Sequence, residues 1–167
     1  MTELVLQTTN YAFGGSVVAR DQNGRPIFVQ GALPGETVRA ALTVDKDRFA
    51  HAYVTEVLEP APERSVPHCP HYGHCGGCHY QHVVYEEQLR AKRLVVQDQL
   101  QRIGGLKDVE ILPVLGSPEA WEYAQEAAFS PTAGGDLGYW FPRQREVMPI
   151  EACSITRPRI MTLFNDI

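Results

Sequence analysis

Three cysteines held within ten residues, among glycines, constrain this chain more than any other feature. The segment runs Cys-Pro-His-Tyr-Gly-His-Cys-Gly-Gly-Cys from Cys69 to Cys78, a C-x5-C-x2-C spacing, and a fourth cysteine, Cys153, lies far downstream. Buried structural cysteines do not ordinarily gather around glycines. Gly73, Gly76 and Gly77 let the backbone wrap tightly around an ion or a cluster. Four thiolates at one point suit either tetrahedral zinc or an iron–sulfur cluster. Zinc sites often use paired C-x2-C knuckles, and here there is one pair, so the spacing leans towards iron–sulfur with zinc as the alternative. His68, His71, His74, His79 and His82 stand beside the loop, and any could replace a cysteine. With four cysteines filling a four-ligand site, they read instead as polar neighbours. Cys153 would have to return in space across 74 residues (79–152), so a metal there is a structural staple in its own right.

The composition supports a real core and excludes several classes. With 44% apolar and 21% charged residues over 167 positions, the chain is globular rather than disordered. That length suits one ordinary domain or two small ones. No apolar run approaches the ~20 residues that a spanning helix needs, which argues against a membrane protein. Met1 to Asn10 lacks a basic region followed by an apolar stretch, so no secretory signal is expected and the expected location is cytoplasmic. In such a reducing compartment the cysteines are not expected to form disulfides.

The chain reads as α+β. Short strands are expected around Val5 and Leu6, over Ser16 to Arg20, Pro26 to Val29, Thr37 to Val44 and His51 to Leu58. Asn23-Gly24 marks a hairpin, and Gly31-Ala-Leu-Pro-Gly35 another turn. Several short strands at this spacing suggest a small antiparallel barrel. Pro60, Pro62, Pro67 and Pro70 then break regular structure. Tyr85 to Ile103 is a helix by periodicity, with Tyr85, Leu89, Val96, Leu100 and Ile103 on one face and Gly104-Gly105 as its stop. Arg90, Lys92 and Arg93 on it read as a solvated face paired with Glu86 and Glu87. Asp108 to Leu115 is expected as a strand, Ala127 to Ser130 with Leu137 to Phe141 as a hairpin, and Glu146 to Ile150 as a further strand. Pro158 begins another helix. The expected domains are a barrel over 1–59, a cysteine-rich loop over 60–82 and a partial central α+β domain over 83–167.

The stretches Gly14-Gly-Ser-Val-Val-Ala-Arg20, Gly24-Arg-Pro-Ile-Phe-Val29 and Gly31-Ala-Leu-Pro-Gly-Glu36 resemble a TRAM domain, an OB-like barrel that binds RNA. The segment from Cys69 to His82 resembles the iron–sulfur segment of the RNA (uracil-5-)methyltransferases, and Pro149-Ile-Glu-Ala-Cys153 the place of their fourth cysteine. The resemblance covers nearly the whole chain. It implies a 4Fe–4S cluster held by Cys69, Cys75, Cys78 and Cys153. It also implies full-length proteins that methylate C5 of a uridine in ribosomal or transfer RNA from S-adenosylmethionine. The family's Rossmann-like catalytic domain, with its nucleophilic cysteine and base, has no counterpart up to Ile167. No catalytic residue is therefore assigned, and the chain alone is expected not to catalyse methyl transfer. Where the family carries a basic Tyr-Arg-Asn-Arg/Lys stretch, this sequence has Tyr123, Ala124, Gln125 and Glu126, without its cations.

The expected role is thus RNA docking plus cluster binding. Arg20, Arg25, Lys46 and Arg48 are the candidates for phosphate contact, and Phe49 for stacking on an unpaired base. The alternative is a stand-alone interaction or regulatory module with a structural iron–sulfur or zinc site. It is motivated by six acids and no Lys or Arg from Asp108 to Pro142, in a chain of net charge −5. Such a module would meet a protein partner, and a split enzyme would meet a separate catalytic chain.

Overall fold

A computed structural model describes residues 2–141 and 145–166. The chain folds into two compact units that interleave in sequence: Met1–Val66 with His82–Leu115, and Pro67–Gln81 with Gly116–Ile167. The division expected after residues 59 and 82 follows chain order. The packed units do not, because the cysteine segment leaves the barrel unit at Pro67 and the chain rejoins it at His82.

Five strands make the barrel: β1 (Glu3–Tyr11), β2 (Ser16–Arg20), β3 (Pro26–Gln30), β4 (Thr37–Lys46) and β5 (Phe49–Glu59). They close in the order β1-β2-β3-β5-β4. Every pairing is antiparallel except β3 with β5, which run parallel and seal the barrel. Period-two alternation explains the strands. Val17 and Ala19, Ile27 and Val29, Val38 and Ala40, and Ala50 and Ala52 are all buried. Half of these inward positions are alanine, as the narrow interior of a small barrel requires.

The β2–β3 loop folds around the Asp21 carboxylate. Its Oδ1 accepts the backbone N–H groups of Asn23 and Arg25 at 2.9 and 3.0 Å, and Gly24 takes φ 81°. In this unit Tyr85–Asp98 forms helix α1, which runs on into a π-helical turn at Gln99–Ile103. The helix buries Glu87 and Ala91. Val96 and Ile103, expected on its apolar face, are 48% and 68% exposed. The expected strand over Asp108 to Leu115 does not form. Leu112 and Leu115 stand exposed, no strand pairs with the segment among the described residues, and the Ile111 carbonyl accepts Arg93 Nε instead.

The second unit holds a three-stranded antiparallel sheet, β6 (Ser130–Pro131), β7 (Leu137–Phe141) and β8 (Glu146–Pro149), in that order. Of the expected first arm, Ala127 to Ser130, only Ser130 lies in a strand, and β6 ends one residue later at Pro131. Helix α2 (Pro158–Asn165) starts on Pro158, whose missing N–H costs nothing in a first turn. Phe129 packs against Tyr139 of β7 and Phe164 of α2, with ring centroids 5.0 and 4.6 Å apart. Among the described residues no helix is long and apolar enough to cross a membrane.

Candidate metal centre and nucleic-acid interface

The cysteine loop is built from consecutive turns. Tyr72 N–H donates to the Cys69 carbonyl at 3.1 Å, and His74 and Cys75 N–H both donate to the His71 carbonyl. Gly73, at φ 84°, makes the reversal between them. Gly77 N–H points at Cys75 Sγ, 3.4 Å away. The fourth cysteine arrives after β8. Cys69, Cys75, Cys78 and Cys153 all line one cavity of about 200 Å³, with Tyr139 and Ile150 on its wall. Burial pushes the Cys75 and Cys78 thiols above their ordinary value, and the neighbouring Cys153 and Cys69 push the same way. Among the described residues, no three His, Cys, Asp or Glu side chains are grouped so as to hold a single metal ion.

Two supporting side chains lie outside the sequence-based expectation. Gln81 Oε1 accepts Cys69 N–H at 3.0 Å, and the same side chain hydrogen-bonds Cys78. The Tyr139 hydroxyl lies 4.0 Å from Cys153 Sγ. Gln81 closes the loop in sequence and was findable there; Tyr139 carried no signal. Of the five histidines, His71 lines the cavity and accepts Glu151 N–H at 3.3 Å. His68 stacks on Trp121, His74 meets Phe141 edge-on, and His79 meets Tyr80. His82 is buried in the barrel unit.

The barrel candidates gather at one end, around the β2–β3 loop and the β4–β5 hairpin. Arg20 Nη1 donates to the Gly24 carbonyl at 2.6 Å. Arg25 is committed internally: Nε pairs with Asp21 at 2.9 Å, and Nη1 reaches Asp45 and the Lys46 carbonyl, both at 2.6 Å. Lys46 and Arg48 are exposed at the hairpin. Phe49 is 37% exposed and meets Phe28 and His51, at 6.5 and 5.4 Å between ring centroids. Phe28 and His51 carry no such signal in the sequence, because their pairing depends on the parallel β3–β5 register.

Residues 4–55 match the TRAM domain family. Over 142 residues the chain is 41% identical to the 23S rRNA (uracil(1939)-C(5))-methyltransferase RlmD of Alkalilimnicola ehrlichii, covering 81% of this chain and 32% of that protein. Over 164 residues it is 35% identical to an uncharacterized RNA methyltransferase of Aquifex aeolicus, covering 98% of this chain and 38% of the relative. Over most of its length the chain is thus similar to part of an RNA (uracil-C5)-methyltransferase. It spans about a third of the length of these relatives. Its fold is similar to that of the Pyrococcus abyssi tRNA (uracil-54, C5)-methyltransferase solved with S-adenosyl-L-homocysteine. That likeness has a TM-score of 0.58 at 20% identity and covers 98% of this chain and 35% of the other.

The stretch from Tyr123 to Glu126, expected from the resemblance to be basic, carries no Lys or Arg. Ala124 is tied into the second unit, its N–H donating to the Ile155 carbonyl at 2.7 Å and its carbonyl accepting Arg157 N–H at 3.1 Å. Tyr123 is 48% exposed. Glu126 lines the cysteine cavity. The acid-rich segment does not form one surface of either unit: Asp108 and Glu110 lie in the barrel unit, whereas Glu119, Glu122, Glu126 and Asp136 lie in the other.

Proposed function

We propose that this chain is the RNA-binding and 4Fe–4S-binding N-terminal portion of an RNA uridine-C5 methyltransferase. Such an enzyme makes 5-methyluridine in ribosomal or transfer RNA from S-adenosylmethionine, and the methyl-transfer step is assigned to the part of the relatives that this chain does not span. The observation that carries the cluster assignment is the meeting of four cysteines, from segments far apart in sequence, around one small cavity. A single zinc ion needs each sulfur at ~2.3 Å. A four-iron cluster brings its own sulfides and bridges thiols set apart around a space, so the donor set and the cavity fit it. Cys69, Cys75, Cys78 and Cys153 would hold it, with Gln81 fixing the loop. Bound there, the cluster supplies a cross-link between the two cysteine segments, and no redox step is required of it.

Iron, acid-labile sulfide and zinc should be measured on anaerobically purified protein, with its visible spectrum. About four irons and four sulfides per chain support the reading. One zinc without sulfide would replace the cluster with a structural zinc staple. The RNA half rests on the TRAM match and on the basic residues at one end of the barrel. A salt-independent or absent RNA affinity in filter binding would remove it.

A further inference from the structure

A groove of about 920 Å³ lies in the barrel unit, bounded by residues of β1, β2 and β3 on one side and of α1 with its π-helical end on the other. Its charge is unlike that of the chain. Arg20, Arg90 and Arg102 line it against one carboxylate, Asp98, in a chain of net charge −5. The acid that pairs with Arg90, Glu87, is buried beneath rather than lining the groove. Arg90 and Arg102 keep 59% and 65% of their side chains exposed. A guanidinium carries five N–H donors, more than a single ion pair uses. The same lining also includes the apolar side chains of Phe28 and Leu94. Phe28 also joins the groove to Phe49 and His51 through ring contacts at 6.5 and 5.4 Å.

Cations together with an aromatic and apolar lining match one polymer well: phosphates pair with the guanidiniums, and bases lie on the flat apolar surfaces. A duplex hides its base faces, whereas an unpaired strand offers them. We propose that this groove seats a segment of single-stranded RNA, with phosphates at Arg20, Arg90 and Arg102 and a base against Phe28. The proposal rests on the RNA-binding reading above and adds where, and in which form, the RNA is held.

The test uses the whole 167-residue chain. Fluorescence anisotropy would follow binding of an unstructured RNA of about 12 nucleotides, within the span one OB-like fold covers, and of a duplex of equal length. Salt would be varied between ~50 and ~200 mM. The double variant Arg20→Ala with Arg102→Ala should weaken single-strand binding and flatten its salt slope by about 0.7 for each phosphate left without its cation. Phe28→Leu should weaken binding about tenfold with the slope unchanged. Gln101→Glu, which adds an anion to the groove without removing a packed group, should also weaken it. Arg39→Ala, an exposed β4 position away from the groove lining, should leave it unchanged. Thermal unfolding of each variant separates weakened binding from impaired folding.

Wild type without RNA affinity would overturn the RNA-binding reading itself. Wild-type binding that none of the folded groove variants alters would overturn the groove alone. A duplex bound as tightly as the single strand would overturn the unpaired form. Poly-glutamate competing as well as RNA would show that the groove accepts acidic peptides instead.

Discussion

Tyr11, the last residue of β1, donates its hydroxyl to Oε1 of Glu87 on α1 at 2.7 Å, across 76 positions of sequence. Both residues are buried. Arg90 grips the same carboxylate through Nε and Nη2 at 2.6 and 2.7 Å. Burial alone would raise the Glu87 carboxyl, but the hydrogen bonds from Arg90 and Tyr11 outweigh it and hold the group below its ordinary value. Tyr11→Phe removes one donor to a charged acceptor and should cost about 1.5–3 kcal/mol, read as a lower urea midpoint. A variant as stable as the parent would show that this bond does not secure the helix to the barrel.

A second buried cluster makes stability depend on pH. Glu36 is fully buried. Its Oε2 accepts Leu33 N–H at 2.8 Å, and both its oxygens accept the Arg64 guanidinium. His82 lies beside this pair, with Nε2 3.4 Å from the Ala32 carbonyl. Burial first, and the Arg64 charge second, depress His82 from 6.5 to about 4. As pH falls through 6.5 the unfolded chain takes a proton that the folded chain refuses. Stability should therefore decline from pH 6.5 to about pH 4 through this group, then level off. The full effect is roughly 3 kcal/mol. Glu36 acts in the same direction at lower pH: burial would raise it, yet its bonds from Arg64, Leu33 and Ala61 hold it below 4.5, so stability drops further under that pH. Urea midpoints above, within and below this window should show the decline, and His82→Leu should remove the upper part of it. An unchanged slope in that variant would assign the effect to other groups.

The barrel was readable because alternation and turns are local. Val17 and Ala19, or Ile27 and Val29, announce their strands within five residues. The helix was readable too, but its buried face was not. That face presents a carboxylate, Glu87, whose expected partner Arg90 does pair with it, whereas Tyr11, the other group that lets burial tolerate it, lies 76 positions away and figures in no helical period. The cysteines of the candidate centre stood out by spacing, whereas Tyr139 reaches Cys153 only through the register of a sheet. Arg20 and Arg102 line one groove although 82 positions separate them, so no local pattern could pair them. Asp108 to Leu115 has the composition of a strand but no strand to pair with among the described residues, and pairing is what makes a strand stable.

Gly138 tests whether the small sheet supports the cysteine site. It sits in β7 opposite Pro149, and a Cβ there would run into the Met148 carbonyl oxygen and lie 2.9 Å from Pro149 Cα. The obstacle is backbone, so no side-chain rotation relieves it. Gly138→Ala must push β8 away from β7, at a cost of about 1–3 kcal/mol. Cys153 follows β8 by four residues, so its approach to the cavity should suffer with the sheet. Trp140, half exposed on the same strand, reports the change by fluorescence. The expected result is a shifted Trp140 signal together with reduced iron per chain. Normal iron in a variant with a disturbed sheet would separate the site from its scaffold.

Cys75→Ser and Cys153→Ser ask what the proposed cluster would do for the fold. Cys75 belongs to the short loop, where Cys69 and Cys78 would still hold the same segment. Cys153 would be the remote ligand of the proposed cluster, closing the chain over residues 79–152. If the cluster is a cross-link, both variants should lose iron and thermal stability together, and Cys153→Ser should lose more. Freeing a closed loop of that length restores about 4 kcal/mol of chain entropy to the unfolded state. Removing iron from the parent protein with a chelator should lower its melting temperature towards that of Cys153→Ser, since both release the same constraint. Loss of iron from Cys75→Ser with no change in melting temperature would contradict a structural role, and would direct attention to what the cluster does for bound RNA.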